Sequence, residues 1–468
     1  MYAAHPVTLA HLPRAKATHP EDLSRRPSGR LFAAALLLAA ACADGGAADL
    51  TGDATDTTGA TDVGGGISVR FDLGDAPDTA VEAEAAQLLP DLSQLAMPRT
   101  RGKRETILVR YAGKQAAGTK RTGEPHPDTG RGPRVAEEPG TFSFLAFNPT
   151  TRNRYEVTFP TAVLGRMHES AMDSGLNREV RLTDQVDPPK PAYSWSGGVD
   201  NRMRFYGVDQ PVTHWERQRV SDFGGCTVTL IGPRHVITAG HCVYNRSASP
   251  GQDPWTDDVS IRVARNGTSQ LGSVLIDNDN IPAGQVLWYW VPSSYISASS
   301  GSDVSEFDIS VIVTPARIGE TTGGWMGWWV LSQATLDTQS TWNVGYPACV
   351  AFTSDGTPRI DEPSPCSENH LYGDVGTCYP ASFTNLDGDG WNRNFRHRCD
   401  ASGGQSGSPI YLNYNGTGWG VTGVHTTSLC GATAKDPCSS SDLVRPLMAT
   451  RITPEYSGMI SYFRNLYP

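Results

Sequence analysis

Apolar and polar positions are distributed differently in the two halves of the chain. Beyond residue 200, short apolar runs alternate with clusters of Gly, Asn, Asp, Ser and Pro. Val228, Leu230, Ile231, Val236 and Ile237 read as two buried strands around the turn Gly232-Pro233. Ile309–Val313 reads as a third strand and Pro409–Leu412 as a fourth. No long pattern of period 3.6 stands out, so this half is predicted to be all-β. Upstream, Thr141–Phe147 and Tyr155–Phe159 flank the turn Pro149-Thr-Thr-Arg-Asn153 and predict a β-hairpin. Residues 80–96 predict a short helix interrupted by Pro90.

The first residues have another character. Arg25, Arg26 and Arg30 precede an apolar run, Leu31–Ala41, that at 11 residues is too short to span a bilayer. Basic residues followed by a short apolar run and small residues predict an export signal over 1–42. Leu38-Ala-Ala-Ala-Cys42 resembles a bacterial lipoprotein signal, which leaves both a lipid anchor at Cys42 and ordinary cleavage near Ala41 or Ala43 open. Residues 43–66 are mostly Ala, Gly, Thr and Asp and predict a flexible tether. Residues 67–190 predict a small folded pro-region ending at the linker Pro188-Pro-Lys-Pro191, with a possible inhibitory role on its own chain. Between Arg99 and Arg134 stand ten Lys or Arg against three acids. Interleaved with Gly and Pro, they read as a solvated, protease-labile stretch rather than a nucleic-acid or membrane patch.

Composition adds limits. At 468 residues the chain is too long for one ordinary domain, and a net charge of −10 argues against nucleic acid as partner. Of nine cysteines, Cys42 falls in the signal region and eight lie beyond residue 225, an even set that reads as disulfides. Cys226–Cys242 would staple the first strand pair, and Cys430–Cys438 would close a short surface loop. Cys349, Cys366, Cys378 and Cys399 can pair three ways, of which 349–399 with 366–378 is favoured. No Cys-x-x-Cys pair occurs, and neither metal nor cofactor is implied.

Three stretches then carry the chemistry: Thr238-Ala-Gly-His241-Cys242, Phe307-Asp308-Ile309 and Gly404-Gln-Ser406-Gly-Ser-Pro409. A serine hydroxyl is a weak nucleophile until a base takes its proton. His241 suits that task near neutral pH, and Asp308 would fix its tautomer and stabilise its charged form. Gly-x-Ser-Gly alone is weak in a chain with 49 glycines. Three such residues at predicted strand ends, one beside a covalent staple, are much stronger. An α/β-hydrolase would need Ser, Asp, His in chain order; here the order is His, Asp, Ser.

Phe223–Tyr244, Arg265-Asn-Gly-Thr-Ser269, Gly345-Tyr-Pro347, Gly403–Pro409, Gly423-Val-His-Thr426 and Thr450-Arg-Ile452 resemble the trypsin-like (chymotrypsin-fold) serine proteases, most of all the bacterial glutamyl endopeptidases. The resemblance covers roughly residues 195–468. It implies two six-stranded antiparallel β-barrels with the active site in the cleft, His241 and Asp308 on the first and Ser406 on the second. It further implies an oxyanion hole from the N–H groups of Gly404 and Ser406, polypeptide substrates, and a mature start between Pro191 and Ser196.

In the substrate (S1) pocket, His425 matches the histidine with which glutamyl endopeptidases meet an acidic P1 side chain, and Thr426 follows it. Ala401 stands where relatives often place a threonine. Asp400 falls where trypsins hold the aspartate that recruits Arg or Lys, which keeps a basic P1 as the alternative. An inactive binding protein on a protease fold is the other rival. In trypsins an aspartate before the serine pairs with the freed N-terminus; here that residue is Gln405, which has no charge to offer. Asn385-Leu-Asp-Gly-Asp-Gly390 begins like a calcium loop, but Arg396 stands where its twelfth-position glutamate would be, so it reads as a turn. Trp325, Trp328 and Trp329 read as packing rather than a sugar platform.

Overall fold

The computed structural model describes residues 60–64, 67–74, 79–88, 105–116, 139–181, 202–205, 215–256, 259–276, 288–297, 305–349, 366–374, 378, 393–427 and 447–468. All belong to one unit, Thr55–Pro468. The other unit, Met1–Ala54, contains the expected signal and Cys42 and lies outside the described residues, as do Cys430, Cys438 and the turn at 385–390.

The upstream strands are β1 (Ala60–Gly64), β2 (Ile67–Asp72), β3 (Glu105–Lys114), β4 (Thr141–Phe147), β5 (Asn153–Pro160) and β6 (Val180–Arg181), with helices α1 (Thr79–Ala86) and α2 (Thr161–Ser174). There follow β7 (Arg202–Phe205), β8 (Val220–Phe223), β9 (Thr227–Leu230), β10 (His235–Thr238), the single turn α3 (Gly240–Val243), β11 (Val259–Val263), β12 (Gly272–Ile276), β13 (Trp288–Pro292) and β14 (Ser310–Val313). The rest are β15 (Gly324–Trp325), β16 (Gly327–Trp328), β17 (Trp342–Gly345), β18 (Leu371–Asp374), β19 (Asn394–His397), β20 (Pro409–Asn413), β21 (Trp419–Thr427), β22 (Leu447–Arg451) and a C-terminal helix, Pro454–Leu466.

A 12-stranded sheet runs β1-β2-β3-β5-β4-β13-β14-β10-β9-β8-β11-β12. An 8-stranded sheet runs β19-β22-β21-β20-β17-β18-β7, with β16 beside β21, and β15 pairs with β6. The downstream half is thus all-β in its sheets, as its alternation predicts. The sheets are open, however, and not two closed six-stranded barrels. The physical reason on the first is visible at β13: its outer edge is hydrogen-bonded to β4 of the upstream region, Tyr289 opposite Phe147 and Pro292 opposite Phe144.

The predicted hairpin forms as β4 and β5, with Phe142 opposite Phe159 and Phe144 opposite Val157. Alternate residues face inward on both strands, which is why the period of two was legible. β1 takes the last residues of the expected tether. It lacks apolar bulk, but pairing with β2 satisfies the backbone groups on one of its edges. One apolar core joins upstream Phe142, Phe144, Tyr155 and Phe159 to downstream Trp288, Trp290, Tyr456 and Phe463.

The C-terminal helix was not anticipated, although Tyr456, Met459, Ile460 and Phe463 recur at helical spacing; in the fold Glu455 through Phe463 are all buried. Thr453 caps it by accepting the Tyr456 N–H, and Pro454 starts its first turn. Trp325, Trp328 and Trp329 are buried, as the packing reading expects.

Three disulfides are present among the described residues. Cys226–Cys242 is as expected. The favoured pairing of the four middle cysteines is corrected to Cys349–Cys366 and Cys378–Cys399. Cys378 exchanges backbone hydrogen bonds with Thr341, just before β17, and packs in one buried cluster with Phe395, Cys399, Ile410 and Ala449.

Candidate active site

His241 and Asp308 leave the same end of two paired strands. β10 and β14 are antiparallel with Thr238 opposite Ser310, so the residue three beyond Thr238 meets the residue two before Ser310. The Asp308 carboxylate accepts the His241 backbone N–H on Oδ1 at 2.8 Å and the ring Nδ1 on Oδ2 at 2.7 Å. With Nδ1 as donor, Nε2 is left as an acceptor. It is buried and has no hydrogen-bond partner. Asp308 is itself tied to the other sheet, its carbonyl accepting the Thr450 hydroxyl from β22 at 3.0 Å.

Ser406 arrives from the second sheet on the loop before β20. Its carbonyl accepts the Thr227 N–H at 2.7 Å and lies 3.7 Å from Cys242 Sγ, so the serine and His241 flank the same disulfide. The loop needs its glycines. Gly404 (φ 85°) and Gly407 (φ 87°) are left-handed, and a Cβ at Gly404 would come within 2.6 Å of Ala348 N and Tyr346 O. A Cβ at Gly407 would overlap the Thr227 carbonyl and the Thr238 hydroxyl. No backbone hydrogen bond of the loop uses the N–H of Gly404 or of Ser406. Gly407 N–H donates to the His425 carbonyl and His425 N–H to that of Ser408, both at 2.8 Å, which locks β21 against the loop.

His425 lies on β21 and is buried. Its Nδ1 is 3.1 Å from Nε2 of His397, on β19. Burial pushes the His397 pKa down to about 3. His425 is also driven well below the usual histidine range, first by burial, then by the charges of His397, His241 and Arg202. Thr426 turns elsewhere, donating its hydroxyl to the Met448 carbonyl at 3.4 Å. Asp400 is half-buried in the segment after Cys399.

Sequence reasoning missed two residues. His397 gave no signal because only strand pairing through β22 brings it beside β21. Arg202 enters on β7 and donates to the Ser402 hydroxyl at 2.8 Å and to Gln405 Oε1, the side chain next to the candidate nucleophile. A cation does therefore reach Gln405, but as an internal guanidinium rather than a new N-terminus.

Among the described residues, one group of Cys, His, Asp or Glu side chains is close enough to share an ion: Cys226, His241 and Cys242. Its two sulfurs are bonded to each other and offer no thiolate, so the group does not fit a metal.

No protein-family model matches the chain. A glutamyl endopeptidase of Bacillus licheniformis is 25% identical over 300 residues, 62% of this chain and 76% of that protein. An extracellular metalloprotease of Bacillus subtilis is 26% identical over 242 residues, 52% of this chain and 58% of that protein. Among solved structures, a Glu endopeptidase in complex with MPD is 20% identical, with a TM-score of 0.39, covering 58% of this chain and 99% of its own. The protease Anisep from Arthrobacter nicotinovorans is 17% identical, with a TM-score of 0.33, covering 53% and 93%. By sequence this chain is similar to glutamyl endopeptidases over 62% of its length, and it is a serine endopeptidase.

Proposed function

We propose that the chain hydrolyses polypeptides through an acyl-enzyme on Ser406, with His241 as general base and Asp308 as its orienting anion. The observation that carries this reading is the pair of hydrogen bonds that His241 donates to the Asp308 carboxylate, which leaves Nε2 as a buried acceptor with no partner among the described residues. His241 takes the Ser406 proton as Oγ adds to the scissile carbonyl. The N–H groups of Gly404 and Ser406 receive the oxyanion. His241 then gives the proton to the departing amine, and a water, deprotonated the same way, releases the acyl group and restores Ser406.

For P1, we propose glutamate, met by His425. If His397 Nε2 donates to His425 Nδ1, the Nε2–H of His425 remains to donate to the substrate carboxylate. A basic P1 through Asp400 has weaker support, because the positive charge of Arg202 already reaches His425. The upstream region is proposed as a pro-region cut between Pro191 and Ser196, and 1–42 as an export signal with lipidation of Cys42 as its variant.

The test is a peptide panel differing only at P1 (Glu, Asp, Arg, Phe), cleaved by the processed protein and by Ser406→Ala. Cleavage after Glu that vanishes in Ser406→Ala is expected. Cleavage after Arg would move the S1 role to Asp400. A folded, processed protein that cuts nothing would leave the binding-protein reading.

A further inference from the structure

The contacts between the upstream region and the rest are those of a structural subunit. They fall at three separate places. The first is the edge of β13, where β4 continues the sheet that carries His241 and Asp308. The seam is aromatic: Phe147 stacks on Trp255 with ring centres 4.4 Å apart and planes 12° from parallel, and Tyr155 meets Trp288 edge-on at 6.0 Å. Arg152 forms an ion pair with Asp253, both largely withdrawn from solvent.

The second place is the C-terminal helix. Phe142 and Phe159 meet Tyr456 and Tyr462 edge-on, and His168 Nδ1 lies 2.8 Å from the Ser457 hydroxyl. The third is the Trp-rich connection. β6 pairs with β15, Trp328 N–H donates to the Asn177 carbonyl at 2.8 Å, and Trp419 N–H donates to Glu179 at 2.8 Å.

Three downstream glycines are required by upstream backbone. A Cβ on Gly458 would overlap the Leu164 carbonyl, on Gly327 that of Asn177, and on Gly324 that of Val180. The downstream sequence thus contains the imprint of the upstream chain. Without it, β13 would become a free strand edge, and Trp255, Trp288, Tyr456 and Tyr462 would lose their cover.

We propose that residues 60–181 stay bound to residues 202–468 after the connection between them is cut, so that the working enzyme is a non-covalent two-chain protein. Removal of the covalent link breaks none of these three contact sets. The segment also buttresses the candidate site: Phe142 lies 6.4 Å from Phe307, the neighbour of Asp308, with the Arg393 guanidinium over both rings.

The test replaces residues 185–190 by the recognition sequence of a site-specific protease, in the full chain carrying Ser406→Ala so that its own activity plays no part. The added protease makes the cut, and the products are followed by native size exclusion and by denaturing gel. The expected result is two bands on the gel and one native species at the mass of the uncut chain, persisting on dilution to nanomolar concentration and separating in denaturant. Separate elution of the two pieces without denaturant, with the larger one folded by circular dichroism, would overturn the proposal. A second variant, Phe147→Leu, keeps most of the buried volume but removes the stack on Trp255; it should leave the uncut chain folded and weaken association of the cut pieces by about 10-fold. Unchanged association would overturn the aromatic seam as its basis. Because no step uses the Ser406 chemistry, failure of the proposed peptidase activity would leave this result readable.

Discussion

On the 12-stranded sheet, His241 and Asp308 emerge from neighbouring strands and are fixed to each other by two direct hydrogen bonds; on the 8-stranded sheet, Ser406 and His425 are placed by a glycine loop and by side chains that arrive from distant segments. The first arrangement is local in space and nearly complete once β10 pairs with β14. The second depends on β7, β19 and β22 all being in place, since they bring Arg202, His397 and the partner of Thr426. The proposed general base is therefore held by one strand pair, while the proposed S1 pocket is assembled from several segments.

The sharpest way to break this contrast is to remove one member of each half. Ser406→Ala should lower peptide cleavage by at least about 10⁴-fold, and Asp308→Asn by about 10⁴-fold, by inverting the tautomer of His241. Stopped assays on the P1 panel measure both, and retention of near-normal rates in either would remove the triad reading.

The glycine loop gives the next effect. Gly407→Ala forces a left-handed alanine whose Cβ overlaps the Thr227 carbonyl, and should cost about 3 kcal/mol or more. Denaturant unfolding measures this. Alanine at Gly251, which is also left-handed but has open space around it, is the control and should cost much less.

On the substrate side, His425→Leu should reduce the preference for Glu over Phe at P1 by roughly 10–100-fold while sparing cleavage after Phe. His397→Leu should act in the same direction, more weakly, because it acts through His425. A preference unchanged in both would detach the pair from the S1 pocket.

The smallest effect is shared by the two sheets. His235, on β10, and His397, on β19, are buried, and burial pushes each pKa down to about 3. The unfolded chain binds these protons near about 6.5. The unfolded state thus holds more protons between about 6.5 and 3, so their stabilising contribution is full above about 6.5 and is lost as pH falls towards 3. About 1 kcal/mol per histidine is expected for each pH unit below about 6.5. Thermal midpoints at pH 7.5, 6.0 and 5.0 should fall in that order, and His235→Gln should flatten the slope.

What was legible follows from how each feature is encoded. His241, Asp308 and Ser406 are legible as candidates because each stands near the end of a short apolar run, and a strand end is visible in one dimension. The β4–β5 hairpin was visible because its inner face is apolar and its outer face is not. The C-terminal helix was legible in the spacing of Tyr456, Met459, Ile460 and Phe463 but, at 13 residues among many short apolar runs, was overlooked. The pairing of Cys378 with Cys399 was misjudged because spacing does not show that Cys378 packs in one cluster with Phe395, Cys399, Ile410 and Ala449.

The sequence by itself determined the all-β character of the downstream half, the residues with proton-transfer chemistry, their order and the likeness to a protease branch. Hydrophobic alternation, turn residues and reactive side chains are properties of short stretches. Only the tertiary structure decided that β4 closes on β13, that His397 stands against His425, and that Arg202 reaches Gln405. These contacts join residues 28 to more than 200 positions apart, and which of many such encounters is made is fixed by the packing and strand register of the whole sheet.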